Sequence, residues 1–269
     1  MTAARIIDLF RAVLRRDVLS ALRYKRAAML LVATIPAELA ALYYLARAIG
    51  PGFRPDGVSF YSFLLVGSGM YALMITAVTV LVRNIEEAQQ TGTFEILMTT
   101  NTDPVLLIIL SATSTCLSRV LYFCFYVVAG LLLFQVNLPA PNITAILLIF
   151  GLSLLVVVAI GLFAAAVQVH TQRGGAVLWL LGSLLWLLTG VAFPVSVLPA
   201  WLRAVAALIP LKYSLHALRL ALLQGASFSN VRHDALILAA FAVVLFPAGT
   251  WTLNLVLRKA RLQGTLSFY

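Results

Sequence analysis

Two ionisable side chains sit where a charge is costly: Glu38 and Arg119 each fall deep inside a run of apolar residues. Such a group is expensive there unless it is paired or wetted. At similar depth, the two read either as a buried ion pair that clamps helices together or as groups lining a path for something polar. A second set of charges lies between two apolar runs. The connection Arg83–Pro104, RNIEEAQQTGTFEILMTTNTDP, holds Glu86, Glu87, Glu95 and Asp103, four of the nine acids in the chain. Other chemistries lack their residues. None of the three lysines (Lys25, Lys212, Lys259) sits in a glycine-rich phosphate loop, and neither H-E-x-x-H nor G-x-S-x-G occurs. His170, His216 and His233 are scattered. Cys116 and Cys124 lie eight residues apart in one expected helix, about 12 Å along its axis, too far for a disulfide. No metal, no cofactor and no catalytic residue is expected on this chain, so it is not read as an enzyme by itself.

The elements that carry these residues are dictated by oil. Hydrophobic residues make up 62% of the 269 and charged ones 10%, with mean hydropathy +1.03. One soluble core cannot hide that much apolar surface. Six runs are long enough for a bilayer, where a spanning helix takes about 20 residues: Ala27–Ala48, Ser59–Val82, Val105–Phe134, Ile143–Val169, Ala176–Phe193 and Ala235–Leu257. The runs are continuous rather than alternating, which excludes a barrel and leaves an all-α membrane protein with six transmembrane helices. The first run starts late and has no small-residue cleavage pattern, so no cleavable leader is expected.

Charge sets the expected orientation. The net charge is +10. Seven basic residues precede the first run and Arg258, Lys259 and Arg261 follow the last. Six spans put both termini on one side, and the Lys/Arg bias makes that side cytoplasmic. The basic balance suits anionic lipid headgroups and a cytosolic partner, not nucleic acid. Within residues 1–26, Arg5, Asp8, Arg11, Arg15 and Arg16 share one helical face, while Ile6, Leu9, Phe10, Val13 and Leu14 share the other. That pattern predicts an amphipathic helix on the cytoplasmic surface, either as a simple anchor or also touching a cytosolic subunit. Residues 27–257 form the six-helix domain, with an inner loop at 83–104, and 258–269 form a cytoplasmic tail. The segment 194–225 is apolar, yet Pro194, Pro199 and Pro210 break it into pieces too short to span. Short re-entrant or interfacial helices on the outer side are expected, with Trp201 and Tyr213 as interface anchors.

Two segments in register with this topology carry a resemblance. The inner loop contains Gly92-Thr93-Phe94-Glu95-Ile96-Leu97. The outer segment contains Phe193-Pro194, Leu198-Pro199-x-Trp201-Leu202, Pro210-Leu211-x-Tyr213 and Arg219. Together they resemble the permease subunits of ABC type-2 exporters, the type V or G-like class, along the whole chain. Two departures are plain: Pro104 lies nine residues after Glu95, later than the family's proline, and Thr91 stands where a basic residue is common.

The resemblance implies roles. Glu86, Glu87, Gly92, Thr93, Glu95 and Leu97, with Arg11, Arg15 and Arg16 of a connecting helix, would couple the chain to an ATPase subunit. Phe193, Pro194, Pro199, Trp201, Pro210 and Tyr213 would form an outer gate. Implied partners are ABC ATPase subunits, which would hold ATP and magnesium, and a second permease copy in a homodimer. The place would be the inner (plasma) membrane of a bacterium. The function implied is ATP-driven export of an amphipathic cargo (a drug, lipid or lipid-linked glycan), with polysaccharide export by the same class as the alternative. From the residues alone, a proton-coupled secondary transporter using Glu38 and a non-transporting scaffold remain the readings of other classes.

Overall fold

The computed structural model describes residues 11, 15, 25–94, 104–136, 141–172 and 174–263. Among them there are helices and no strand. Eight α-helices follow in order: α1 (Lys25–Ile49), α2 (Phe60–Gln90), α3 (Pro104–Leu133), α4 (Ile143–Thr171), α5 (Gly174–Leu188), α6 (Ala200–Ala207), α7 (Pro210–Leu223) and α8 (Phe228–Gln263). Each of the six apolar runs falls on a different helix, the fifth extending past the helix end at Leu188. By length and composition α2, α4 and α8 are long and apolar enough to cross a membrane, and the pair α6–α7, bent by 88°, is a fourth candidate. Of the expected amphipathic helix only Arg11 and Arg15 are described; both are helical and exposed.

Local chemistry sets the helix ends. Ser59 caps α2 by accepting from the Ser62 amide at 3.3 Å, and Asn142 caps α4 by accepting from the Ala145 amide at 3.2 Å; each satisfies an orphan donor of the first turn. Asn142 also donates from Nδ2 to the Ala226 carbonyl, which ties the start of α4 to the α7–α8 junction. Pro210 opens α7 at a position that needs no amide hydrogen. Two ends differ from the sequence expectation. Helix α2 continues to Gln90, because Asn84 to Gln90, although mostly polar, contain no helix breaker. Helix α5 stops at Leu188, short of Phe193, where Thr189 turns its hydroxyl back to the Leu185 carbonyl and Gly190 adopts φ +80.

The helices alternate in direction. One end of the bundle gathers the start of α2, the finish of α3, the start of α4, and α6 and α7. This proline end is tied by Tyr61 donating to the Gly130 carbonyl and by the Asn142 contacts. The opposite, loop end gathers the finish of α2, the starts of α3 and α5, and the finishes of α4 and α8; there Leu81, Ile85, Val105, Val169 and Leu257 share one cluster. Helix α2 is central and α8 peripheral, with 61% and 22% of their most apolar stretches buried. Small residues allow the close crossings: a Cβ on Gly249 of α8 would stand 3.0 Å from the Ala159 carbonyl oxygen of α4. Large apolar side chains face outward along single helix faces, among them Leu121, Phe125, Val128 and Leu132 of α3. An apolar exterior on that scale is a surface for lipid or another chain.

Candidate functional site

At the loop end, α2 finishes in a left-handed turn. The Thr91 amide donates to the Glu87 carbonyl at 2.9 Å, and Gly92 follows at φ +69, the backbone region that glycine enters without strain. The hydroxyls of Thr91 and Thr93 meet at 2.8 Å, and Thr91 also donates to the Glu87 carbonyl. The turn is exposed, yet Phe94 immediately after it is fully buried in the cluster formed by α2, α3, α4 and α8. Burial of the aromatic ring in this cluster therefore anchors the exposed turn to the bundle. Of the residues expected to couple to a partner, Glu86 is half-buried, while Glu87, Gly92 and Thr93 are exposed at this end. Glu95, Leu97 and Arg16 lie outside the described residues. Arg11 and Arg15 are exposed.

Beneath that turn is a buried amide relay that the sequence reading missed. Gln168 of α4 donates from Nε2 to the Gln89 Oε1 of α2 at 3.0 Å. Its own Oε1 accepts from the Gly174 amide, the first residue of α5. Both glutamines are fully buried, and Gln89 Nε2 has no protein partner. One polar group thus links the finish of α2, the finish of α4 and the start of α5. A signal was present: Gln89 continues the apolar stripe Leu81, Ile85 at four-residue spacing, where a polar residue is out of pattern.

At the proline end, the expected gate residues occupy a folded-back segment. After Gly190 the chain passes Phe193 and Pro194, makes a 3-10 turn at Val195–Val197, and enters α6 behind Pro199. Phe193 is half-buried and meets Trp186 edge-on at 6.3 Å. Trp201 is 68% exposed, as an anchor at an apolar boundary would be. Pro210 is buried, and Tyr213 donates to the Ala207 carbonyl at 3.0 Å, which locks the corner between α6 and α7. Pro194, Pro199, Trp201, Pro210 and Tyr213 therefore belong to one bent element.

That element is held by Arg219 of α7. Its Nη1 donates to the Gly190 carbonyl at 2.8 Å, and its Nη2 donates to the carbonyls of Phe63 at 2.9 Å and Val191 at 3.0 Å. The guanidinium also lies 3.3 Å from the centre of the Phe63 ring. Two of these carbonyls, Gly190 and Val191, follow the finish of α5, where partial negative charge accumulates and a buried cation is well placed; the third, Phe63, lies in the first turn of α2. Gly67 of α2 makes the room: a Cβ would overlap the Val191 carbonyl oxygen and lie 2.6 Å from Arg219 Nη2. Next along α7, His216 Nδ1 meets Asp234 Oδ2 of α8 at 2.7 Å. The sequence motif contained Arg219 but gave it no task, and Asp234 carried no signal at all.

Glu38 and Arg119 are not joined by an ion pair among the described residues. Glu38 Oε1 instead accepts from the Tyr126 hydroxyl at 3.1 Å. Several tyrosines are packed within the bundle, while Tyr44 is 63% exposed. Tyr43 stacks on Phe134 at 4.3 Å and meets Tyr61 edge-on, while Tyr71 donates to the Gly182 carbonyl. Residues 27–251 match the family described as ABC-2 family transporter protein. No curated protein matches the chain.

Proposed function

This chain belongs to the ABC-2 family of transporter proteins, and from that premise we propose that it is the six-span permease subunit of an ATP-driven exporter. Such a family is the membrane component of a transporter and is not itself catalytic; it implies an ATPase partner. In this reading two copies pair in the inner membrane of a bacterium, with both termini cytoplasmic. The cargo is amphipathic: a drug, a lipid or a lipid-linked glycan. ATP and magnesium are held by the partner.

The observation that carries the reading is the placement of the Gly92–Phe94 turn. Its polar atoms face outward while its ring is buried in the loop-end cluster. A partner that pushes on Glu86, Glu87, Thr93 and the following Glu95 and Leu97 moves packed helices as one body, because close-packed interiors transmit displacement. Arg11, Arg15 and Arg16 would dock the same partner. At the other end, the bent segment with Phe193, Pro194, Pro199, Trp201, Pro210 and Tyr213 closes the outer exit.

The test is coupled ATPase activity in liposomes holding the chain and its nucleotide-binding subunit. Charge reversal, Glu95→Arg, is expected to lower cargo-stimulated hydrolysis at least about tenfold, the scale of one lost charge-assisted contact, while membrane insertion stays normal. Cargo movement by the isolated chain without nucleotide would overturn the proposal.

A further inference from the structure

At the proline end a cavity of about 360 Å³ opens between the α5–α6 connection and α7. Arg203, Lys212, His216 and Arg219 line it, with Ser196 at the wall and Asp56 as the sole acidic lining residue. The charge is unbalanced. His216 is already engaged by Asp234. Arg219 forms the floor, with its Nη atoms committed to main-chain carbonyls and its Nε buried without a partner. Arg203 is exposed, and Lys212 is half-buried with its ammonium 5.3 Å from the Tyr213 ring. Among the described residues neither Arg203 nor Lys212 has a carboxylate partner. Three fixed cations on two helices therefore converge on one concave, water-accessible notch against a single lining carboxylate.

We propose that this notch is a binding site for a phosphoryl group, seated between Arg203 and Lys212 over the floor made by Arg219. The class follows from the donors. A guanidinium fork and an ammonium approach from different helices, and a tetrahedral group with several anionic oxygens answers both, whereas a carboxylate offers two oxygens in one plane. The walls also raise the field, since a cleft lined by one sign of charge concentrates counter-ions. Two sources carry this chemistry: the headgroup of a phospholipid, with its tails along the apolar exterior, or a phosphoryl group without tails. The site concerns equilibrium binding by this chain and stands whether or not the chain exports anything.

The test uses the full chain in a neutral detergent at fixed ionic strength, titrated separately with dioctanoyl phosphatidic acid, inorganic phosphate and octanoate. Binding is followed by calorimetry and by the thermal unfolding midpoint. Saturable binding of phosphatidic acid is expected, weakened about tenfold by Arg203→Gln or Lys212→Gln, the scale of one charge-assisted hydrogen bond. Lys259→Gln, at the opposite end, is expected to leave it unchanged. Asp56→Asn removes the opposing charge and is expected to tighten it, a gain that a merely structural role for the notch would not produce. Saturation by phosphatidic acid alone assigns the site to a lipid headgroup; saturation by inorganic phosphate as well assigns it to the phosphoryl group itself. Equal binding by octanoate, absence of saturation, or wild-type affinity in both cation variants would overturn the proposal.

Discussion

Arg219 shows how one residue can hold a fold against its own desolvation cost. A buried cation is unfavourable unless its donors are answered, and here three carbonyls answer the Nη donors and an aromatic face the guanidinium plane, while Nε has no partner. Removing the head group would take this donor from the Gly190 and Val191 carbonyls, which lie outside any helix. Arg219→Met is therefore expected to destabilise the chain by about 3 kcal/mol, read as a lower unfolding midpoint in detergent; an unchanged midpoint would show that the cage is not holding the segment. Gly67→Ala reaches the same place from α2. Its methyl group meets a main-chain oxygen that cannot swing aside, so a loss of about 1–3 kcal/mol is expected by the same measurement. Glu38 makes the opposite kind of statement. Its hydrogen-bond partner among the described residues is the Tyr126 hydroxyl, which a glutamine can also satisfy as acceptor. Glu38→Gln is expected to keep both the midpoint and nucleotide-driven transport. Loss of transport with ATPase activity intact would instead favour the proton-coupled reading.

The loop end works as a unit of elements. Phe94 and the Gln89–Gln168 relay join α2, α3, α4, α5 and α8 around one exposed turn. Truncating a buried phenylalanine to alanine costs about 3–5 kcal/mol, so Phe94→Ala is expected to lower the unfolding midpoint and free the turn from the bundle. The second effect is readable as faster proteolysis beyond Gln90. Much of this architecture was legible in the chain. Continuous apolar runs locate six of the helices, and the prolines at 194, 199 and 210 mark where the bent segment turns. Polar partners were not legible, because they join residues far apart in the chain. Arg219 and Phe63 are separated by 156 positions, and Gln168 and Gln89 by 79. Periodicity reports which face of a helix is apolar, and it does not report which distant carbonyl a guanidinium will reach. The finish of α5 differs for a local reason: hydropathy continues to Phe193, but the helix stops at Leu188, where Gly190 turns the chain at φ +80.

The dimensions of the whole molecule decide what each end can do. Helix α2 has 31 residues and α8 has 36, so they run about 46 and 54 Å at 1.5 Å per residue, against a hydrocarbon core of about 30 Å. Some of that excess is taken up by tilt. The rest must project, and composition says where: Glu86 and Glu87 sit in the last turns of α2, and Arg258, Lys259 and Arg261 in the last turns of α8. Both helices finish at the loop end, which becomes a polar platform. The proline end carries its own polar turns, residues 229–234 at the start of α8, beside the bent pair α6–α7. The Lys/Arg bias of the sequence then predicts that the platform faces the cytoplasm. Labelling with a membrane-impermeant maleimide tests this in a background of Cys116→Ala and Cys124→Ala, which removes both native thiols. Thr93→Cys on the exposed turn is expected to react only in inverted vesicles. Ser229→Cys, exposed at the start of α8, is expected to react only from outside intact cells. Reaction of Thr93→Cys from outside would place the platform on the wrong side for any cytoplasmic ATPase. The same result would remove the physical basis for coupling through the Gly92–Phe94 turn.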